Sequence, residues 1–119
     1  MRLALEPLKK SWQFRVCYGR GRRVVCRDAV VFYARAPEDG DGPRIGVVAS
    51  RRVGGAVQRN RAKRLLRETA RRISGRLHDP NTWLVLVARS SIVARSAREV
   101  CDDIEGALAE AGVVAGEIE

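Results

Sequence analysis

Between Arg44 and Arg76 the chain carries eleven lysines and arginines and a single acid, Glu68. Asn60, Lys63, Arg64, Arg67 and Arg71 recur there at spacings of three and four. On a helix such positions share one face. Ala62, Leu65, Leu66, Thr69, Ala70 and Ile73 form an apolar stripe on the opposite side. An ordinary solvated helix face mixes charges of both signs, and this one does not. Phosphate is the ligand it fits. Guanidinium groups grip phosphate oxygens in pairs, and each phosphate neutralised releases counterions, which makes binding salt-dependent. Asn60 lies near the helix N-terminus, where the helix dipole adds positive potential. Arg51-Arg52-Val53-Gly54-Gly55 precedes the helix, and its glycines let backbone approach a phosphate closely. The string lacks the spacing of a nucleotide-binding loop, so an NTPase is unsupported.

A second set is aromatic. Phe14 and Tyr18 are four residues apart and share a helical face, while Val30, Phe32 and Ala34 alternate onto one face of a strand. Single-stranded RNA is commonly held by stacking on such aromatics beside positive charge. Phe14 and Phe32 serve equally well as plain core. Tyr18 is the better contact, because its hydroxyl prefers a wet edge. Cys17, between them, reads as core.

Protein-based hydrolysis of a phosphodiester needs an acid/base pair or carboxylates that hold metal ions. The single histidine, His78, sits in a turn beside Asp79-Pro80. Most acids lie in the 38–41 loop or near the C-terminus, where Asp102, Asp103 and Glu105 read as a solvated face. No catalytic residues and no metal site are expected in this chain.

The elements that must position these residues are legible in outline. A first helix starts at Ser11, a good N-cap, and ends before Gly19 and Gly21. Residues 22–27 and 29–36 read as strands. The segment 37–43 (Pro-Glu-Asp-Gly-Asp-Gly-Pro) is turn-forming and predicts a hairpin to a third strand over 44–50. The basic helix covers 55–74, with Gly75 as its cap. Residues 82–88 are a continuous apolar run, as in a strand buried on both faces. Ser96-Ala97-Arg98-Glu99 matches a capping box, and the last helix ends at Gly112. The order α-β-β-β-α-β-α predicts an α+β, two-layer α/β sandwich with one mainly antiparallel sheet. The 119 residues suit a single domain, ordered over about 8–112.

Charge narrows the partners. The chain has 23 Lys+Arg against 14 Asp+Glu, a net +9, and arginine dominates, with lysine only at positions 9, 10 and 63. Residues 1–76 hold 20 basic and 6 acidic side chains (+14), and residues 77–119 hold 3 and 8 (−5). One end should face a polyanion. Cys17, Cys26 and Cys101 are odd in number and form no C-x-x-C pair, which favours reduced core thiols in the cytosol. The N-terminus does not read as a signal peptide and no run is long enough for a membrane span. A cytoplasmic location and no membrane partner are expected.

Residues 44–68 (R-I-G-V-V-A-S-R-R-V-G-G-A-V-Q-R-N-R-A-K-R-L-L-R-E) strongly resemble the signature of bacterial ribonuclease P proteins. That signature centres on Arg59-Asn60-Arg61, followed by Lys63, Arg64, Arg67 and Glu68. Residues 8–21 resemble the family's first helix, with Phe14, Tyr18 and then Gly21, and 29–33 its second strand. The resemblance covers about residues 8–111. It implies a fold like the second domain of ribosomal protein S5, with a left-handed crossover containing the basic helix. It implies binding of the ribonuclease P RNA by that helix and the preceding loop, through Arg51, Arg52, Arg59, Asn60, Arg61, Lys63, Arg64, Arg67 and Arg71. It implies a separate cleft, including Phe14, Tyr18, Val30 and Phe32, for the single-stranded 5′ leader of precursor tRNA. The RNA subunit would perform the endonucleolytic step with Mg2+, and the protein, a monomer present once per RNA, would bind no cofactor alone. Trp12, Arg20, Arg22 and Arg23 carry no role over from the family. A general RNA-binding protein, a DNA-binding regulator and a metal-dependent nuclease are the competing readings. The regulator is disfavoured because a strand, not a helix, precedes the basic helix.

Overall fold

The apolar run at 82–88 organises the molecule. In a computed structural model, which describes residues 6–38 and 41–115, it forms the central strand of a five-stranded sheet. The elements in chain order are β1 (Glu6–Pro7), α1 (Ser11–Arg20), β2 (Arg22–Val25), β3 (Ala29–Arg35), β4 (Arg44–Val48), α2 (Ala56–Ser74), β5 (Thr82–Ala88) and α3 (Ala97–Glu110), with a short 3-10 turn at Ser90–Ala94 before α3. The sheet order is β1-β4-β5-β3-β2.

Alternation along the strands sorts side chains onto two faces. Val31, Ile45, Leu84 and Leu86 pack under α2 and α3, with Leu65, Leu66, Ile73, Ile104 and Leu108 closing that core. Trp83 and Val85 face the other way, beneath α1, with Leu8, Cys17 and Ala36. Trp83 is fully buried, and its indole N–H donates to the Asp41 carbonyl at 2.6 Å. A strand between two helical layers must be apolar on both sides, and β5 is.

The mixed α+β architecture, the long basic helix and the capped last helix agree with the sequence reading. In α3 the Ser96 hydroxyl accepts from the Glu99 backbone N–H at 3.2 Å, and Glu99 accepts from the Ser96 N–H at 3.1 Å. All six residues of the apolar stripe on α2 are buried. Several expectations need correction. Segment 37–43 does not close a hairpin, because β5 lies between β3 and β4. β5 is apolar on both faces and takes the centre, and a loop of this length can step over one strand, a span of about 10 Å. The sheet is therefore mixed: β1–β4 and β4–β5 are parallel, β5–β3 and β3–β2 antiparallel. Lys10, not Ser11, caps α1, and the helix runs through Gly19 to Arg20. The edge strand β1 and the 3-10 turn carried no periodic signal, being two and five residues long. The acids on α3 are not simply solvated. Asp103 accepts from the backbone N–H groups of Arg27 and Asp28 at 3.2 and 3.0 Å, and buried Glu105 lies 3.5 and 3.4 Å from Arg72 and Arg76. Among the described residues, no helix is long and apolar enough to cross a membrane.

The three cysteines are free and buried. Burial pushes the Cys17 thiol up to about 11 and the Cys26 thiol up to about 12, and raises that of Cys101. These folded-state values lie above that of an unfolded thiol, so the thiols' contribution to stability is intact below about pH 8.5 and is lost as pH rises towards the folded values. At pH 8 an aromatic disulfide reagent should leave the native protein unmodified on a timescale that labels all three cysteines in urea. Fast labelling of any of them in the native state would contradict this packing.

Candidate nucleic-acid interface

Helix α2 lies on the sheet with its buried stripe inward, which turns the basic side to solvent. Asn60, Arg64, Arg67 and Arg71 are exposed, and Arg59 and Lys63 half-buried. None of the five cationic side chains has a carboxylate or carbonyl partner among the described residues. Gly55 is the N-cap of α2, and its N–H donates to the Gln58 side chain at 2.7 Å. Gly54 has a φ of 145°, and Arg51 and Arg52 stand exposed in the loop before it. Among the described residues, the loop and the basic side of α2 form one cationic surface without ion-pair partners.

Arg61 is different. It lies off the rail, and its guanidinium donates to the carbonyls of Arg95 at 2.7 Å and Ile92 at 3.4 Å. It ties α2 to the 3-10 turn. There the Arg95 side chain donates to the fully buried Asp28 carboxylate at 2.9 Å and to Glu99 at 2.8 Å, and the hydrogen bond to Asp28 raises the Arg95 pKa further. Ser91 donates to Asp28 as well, at 3.0 Å. Arg72 and Arg76 are likewise engaged, by Glu105, and Arg76 also donates to the Ala115 carbonyl. Among the described residues, the arginines of this region thus divide into a paired set that builds the fold and an unpaired set that faces solvent.

The aromatic set lies on the opposite face of the sheet. Phe14 reaches across it to β4, where a Cβ on Gly46 would come within 2.5 Å of the Phe14 ring. Glycine at 46 makes the seat for that ring. Gly21 has a similar role: a Cβ there would meet the Cys17 carbonyl oxygen at 2.2 Å and that of Tyr33 at 2.5 Å, so only glycine lets the chain leave α1 so close to β3. Tyr18 is 44% exposed and its ring meets that of Phe32 edge-on, centroids 4.8 Å apart. Partial burial and neighbouring Cys17 raise the Tyr18 hydroxyl pKa, so it remains a neutral donor and acceptor at neutral pH. The register extends this site beyond the residues legible in the sequence. Val30 pairs with Val87 and Val87 with Val48, and all three are half-buried. They form a half-buried row across the sheet on the face that carries α1. Val48 and Val87 were not singled out from sequence, because an alternating valine in a buried strand looks like core until neighbouring strands are known. Trp12 lies 5.7 Å from Trp83, on the row next to Ala34 and Arg44.

The comparisons with known proteins agree with one another. The family model described as Ribonuclease P matches residues 4–112. A ribonuclease P protein component from Exiguobacterium sibiricum is 35% identical over 110 residues, covering 89% of this chain and 90% of its own length. One from Acidothermus cellulolyticus is 40% identical over 89 residues, covering 75% and 67%. Among solved structures, the RNase P protein of Staphylococcus aureus superposes with a TM-score of 0.78 at 26% identity, over 91% of this chain and 96% of that one. The RNase P protein of Thermotoga maritima shares the fold, with a TM-score of 0.72 at 24% identity, over 85% and 93%.

The division of the arginines has a stability consequence. Arg61→Ala removes the donor of two carbonyl groups and should lower unfolding free energy by about 1–3 kcal/mol. Arg64→Ala should leave it within about 0.5 kcal/mol of the parent. Urea denaturation of the free protein measures both, and an equal loss in the two variants would refute the division.

Proposed function

The chain belongs to the ribonuclease P protein family, the protein component of an endoribonuclease that processes tRNA, and from that premise we propose that it works through two opposite faces of one sheet. The loop Arg51–Gly55 and the rail on α2 (Arg59, Asn60, Lys63, Arg64, Arg67 and Arg71) bind the ribonuclease P RNA. The cleft of Phe14, Tyr18, Val30 and Phe32 binds the single-stranded 5′ leader of precursor tRNA. The observation that carries this reading is the rail itself, a row of cations without acidic partners among the described residues. Arg61 acts one step behind the rail, as a positioning residue for the segment before α3.

The roles follow from the chemistry. Phosphate contacts from the rail fix register and orientation without reading sequence. The cleft offers an aromatic pair and aliphatic side chains, which accept unstacked bases of any identity. It therefore suits a leader whose sequence differs from one precursor to the next. The chain's own part in 5′ maturation is to hold the leader while the RNA subunit, with its magnesium ions, cleaves the phosphodiester. One monomer per RNA suffices for this arrangement.

Two substitutions separate the faces. Arg64→Ala should weaken binding of the RNA subunit and lower the magnitude of its log–log salt slope by about one. Tyr18→Ala should leave that binding intact and weaken precursor tRNA binding by the assembled enzyme, by about 1–3 kcal/mol, the usual worth of one stacked base. Equal effects of both variants on both steps would sink the two-face assignment.

A further inference from the structure

The valine row does not stop at β3. Val25 on the edge strand β2 pairs with Val30, and Arg23 pairs with Phe32. Directly opposed residues of antiparallel strands point to the same face. The row Val48–Val87–Val30–Val25 therefore crosses four strands, about 14 Å for three inter-strand gaps. Val25 is 59% exposed, more than Trp12 or Tyr18, and covers no core. Arg23 is exposed, and no carboxylate or carbonyl among the described residues engages its guanidinium. Residues 8–27 hold seven lysines and arginines and no acid. Helix α1 does not hide this end of the row. Its ten residues are about 15 Å long, and they lie over the rows of Phe32–Val85–Gly46 and Ala34–Trp83–Arg44.

We propose that Val25 and Arg23 form a distal subsite for single-stranded RNA, where the leader crosses the free edge of the sheet: Val25 takes an unstacked base and Arg23 a backbone phosphate. The row also has a direction. Its Val48 end is three residues from Arg51, hence within about 11 Å along the chain of the loop that leads to the rail. Its Val25 end is the far one. Leader nucleotides next to the cleavage site lie at Val48 and those further upstream at Val25. This assignment rests on the leader-cleft reading and adds a polarity and an end point to it. An exposed valine beside an arginine with no carboxylate partner among the described residues fits a polyanion with apolar bases, and the absence of acids over 8–27 supplies the charge complementarity.

The test uses the assembled enzyme, this protein with a bacterial ribonuclease P RNA, and precursor tRNAs with a graded series of leader lengths. For the parent, affinity should rise with leader length and then level off. For Arg23→Ala it should level off at a shorter leader. Its binding should equal the parent's for the shortest leaders and be about tenfold weaker for long ones, the worth of one charge-assisted contact. Arg23→Lys should recover most of the loss, and Val25→Ser should show the same length dependence as Arg23→Ala. Both positions are exposed, so an unchanged thermal midpoint serves as the folding control. Loss at every leader length, or at none, would overturn the distal subsite. If the parent itself shows no dependence on leader length, and Tyr18→Ala has no effect, the leader-cleft reading fails and the subsite fails with it. If the parent and Tyr18→Ala behave as expected and Arg23→Ala does not, only the subsite fails.

Discussion

Everything in this protein depends on β5 having two apolar faces. A strand with one wet face would support one helical layer, and the chain would have a single surface to offer. Because Trp83 and Val85 point one way and Leu84 and Leu86 the other, α1 can cover one side while α2 and α3 cover the other. The layers are unequal. Two long helices close one face, and their outer surface carries the cationic rail. A ten-residue helix covers only part of the other face, and the valine row beside it stays half-buried or exposed. The second surface is thus a consequence of incomplete coverage, and Gly46 and Gly21 let α1 sit close enough for its aromatics to border that row.

Charge follows the same economy. A chain at +9 must keep its cations from destabilising the fold, and this one does so by giving many of them internal work. Arg61, Arg76 and Arg89 donate to backbone carbonyls. Arg95 is set against the buried Asp28, and Arg72 and Arg76 against Glu105. A buried carboxylate such as Asp28 is tolerable only when its oxygens are bonded, and here Arg95 and Ser91 supply those bonds. The cations left over gather on the outer face of α2, on the loop before it, and around α1 and β2. Unpaired positive charge on a folded surface favours an external polyanion.

The sequence made the local features legible. The apolar stripe of α2, the double-sided strand 82–88 and the capping box at Ser96 each depend on residues close together in the chain, where periodicity and capping chemistry decide the outcome. The rail residues were legible for the same reason, since a helical face is a matter of spacing. The hairpin at 37–43 was misread because strand order is set by which strand is most apolar, a comparison across the whole chain. Val25, Val48 and Val87 gained meaning only once the register aligned them. Arg61 looked like the arginines around it, and the carbonyls that hold it are more than thirty residues away. Glu105 and Asp103 looked solvated because the groups that engage them belong to the end of α2, to Arg76 just beyond it and to the turn after β2.

The central proposal is that this chain assists a catalytic RNA and does not itself cleave. The direct measurement is precursor tRNA cleavage at low magnesium by this protein, by a bacterial ribonuclease P RNA, and by the two together. The account predicts leader removal only when both are present. Cleavage by the protein alone, or no stimulation of a well-matched RNA, would contradict it.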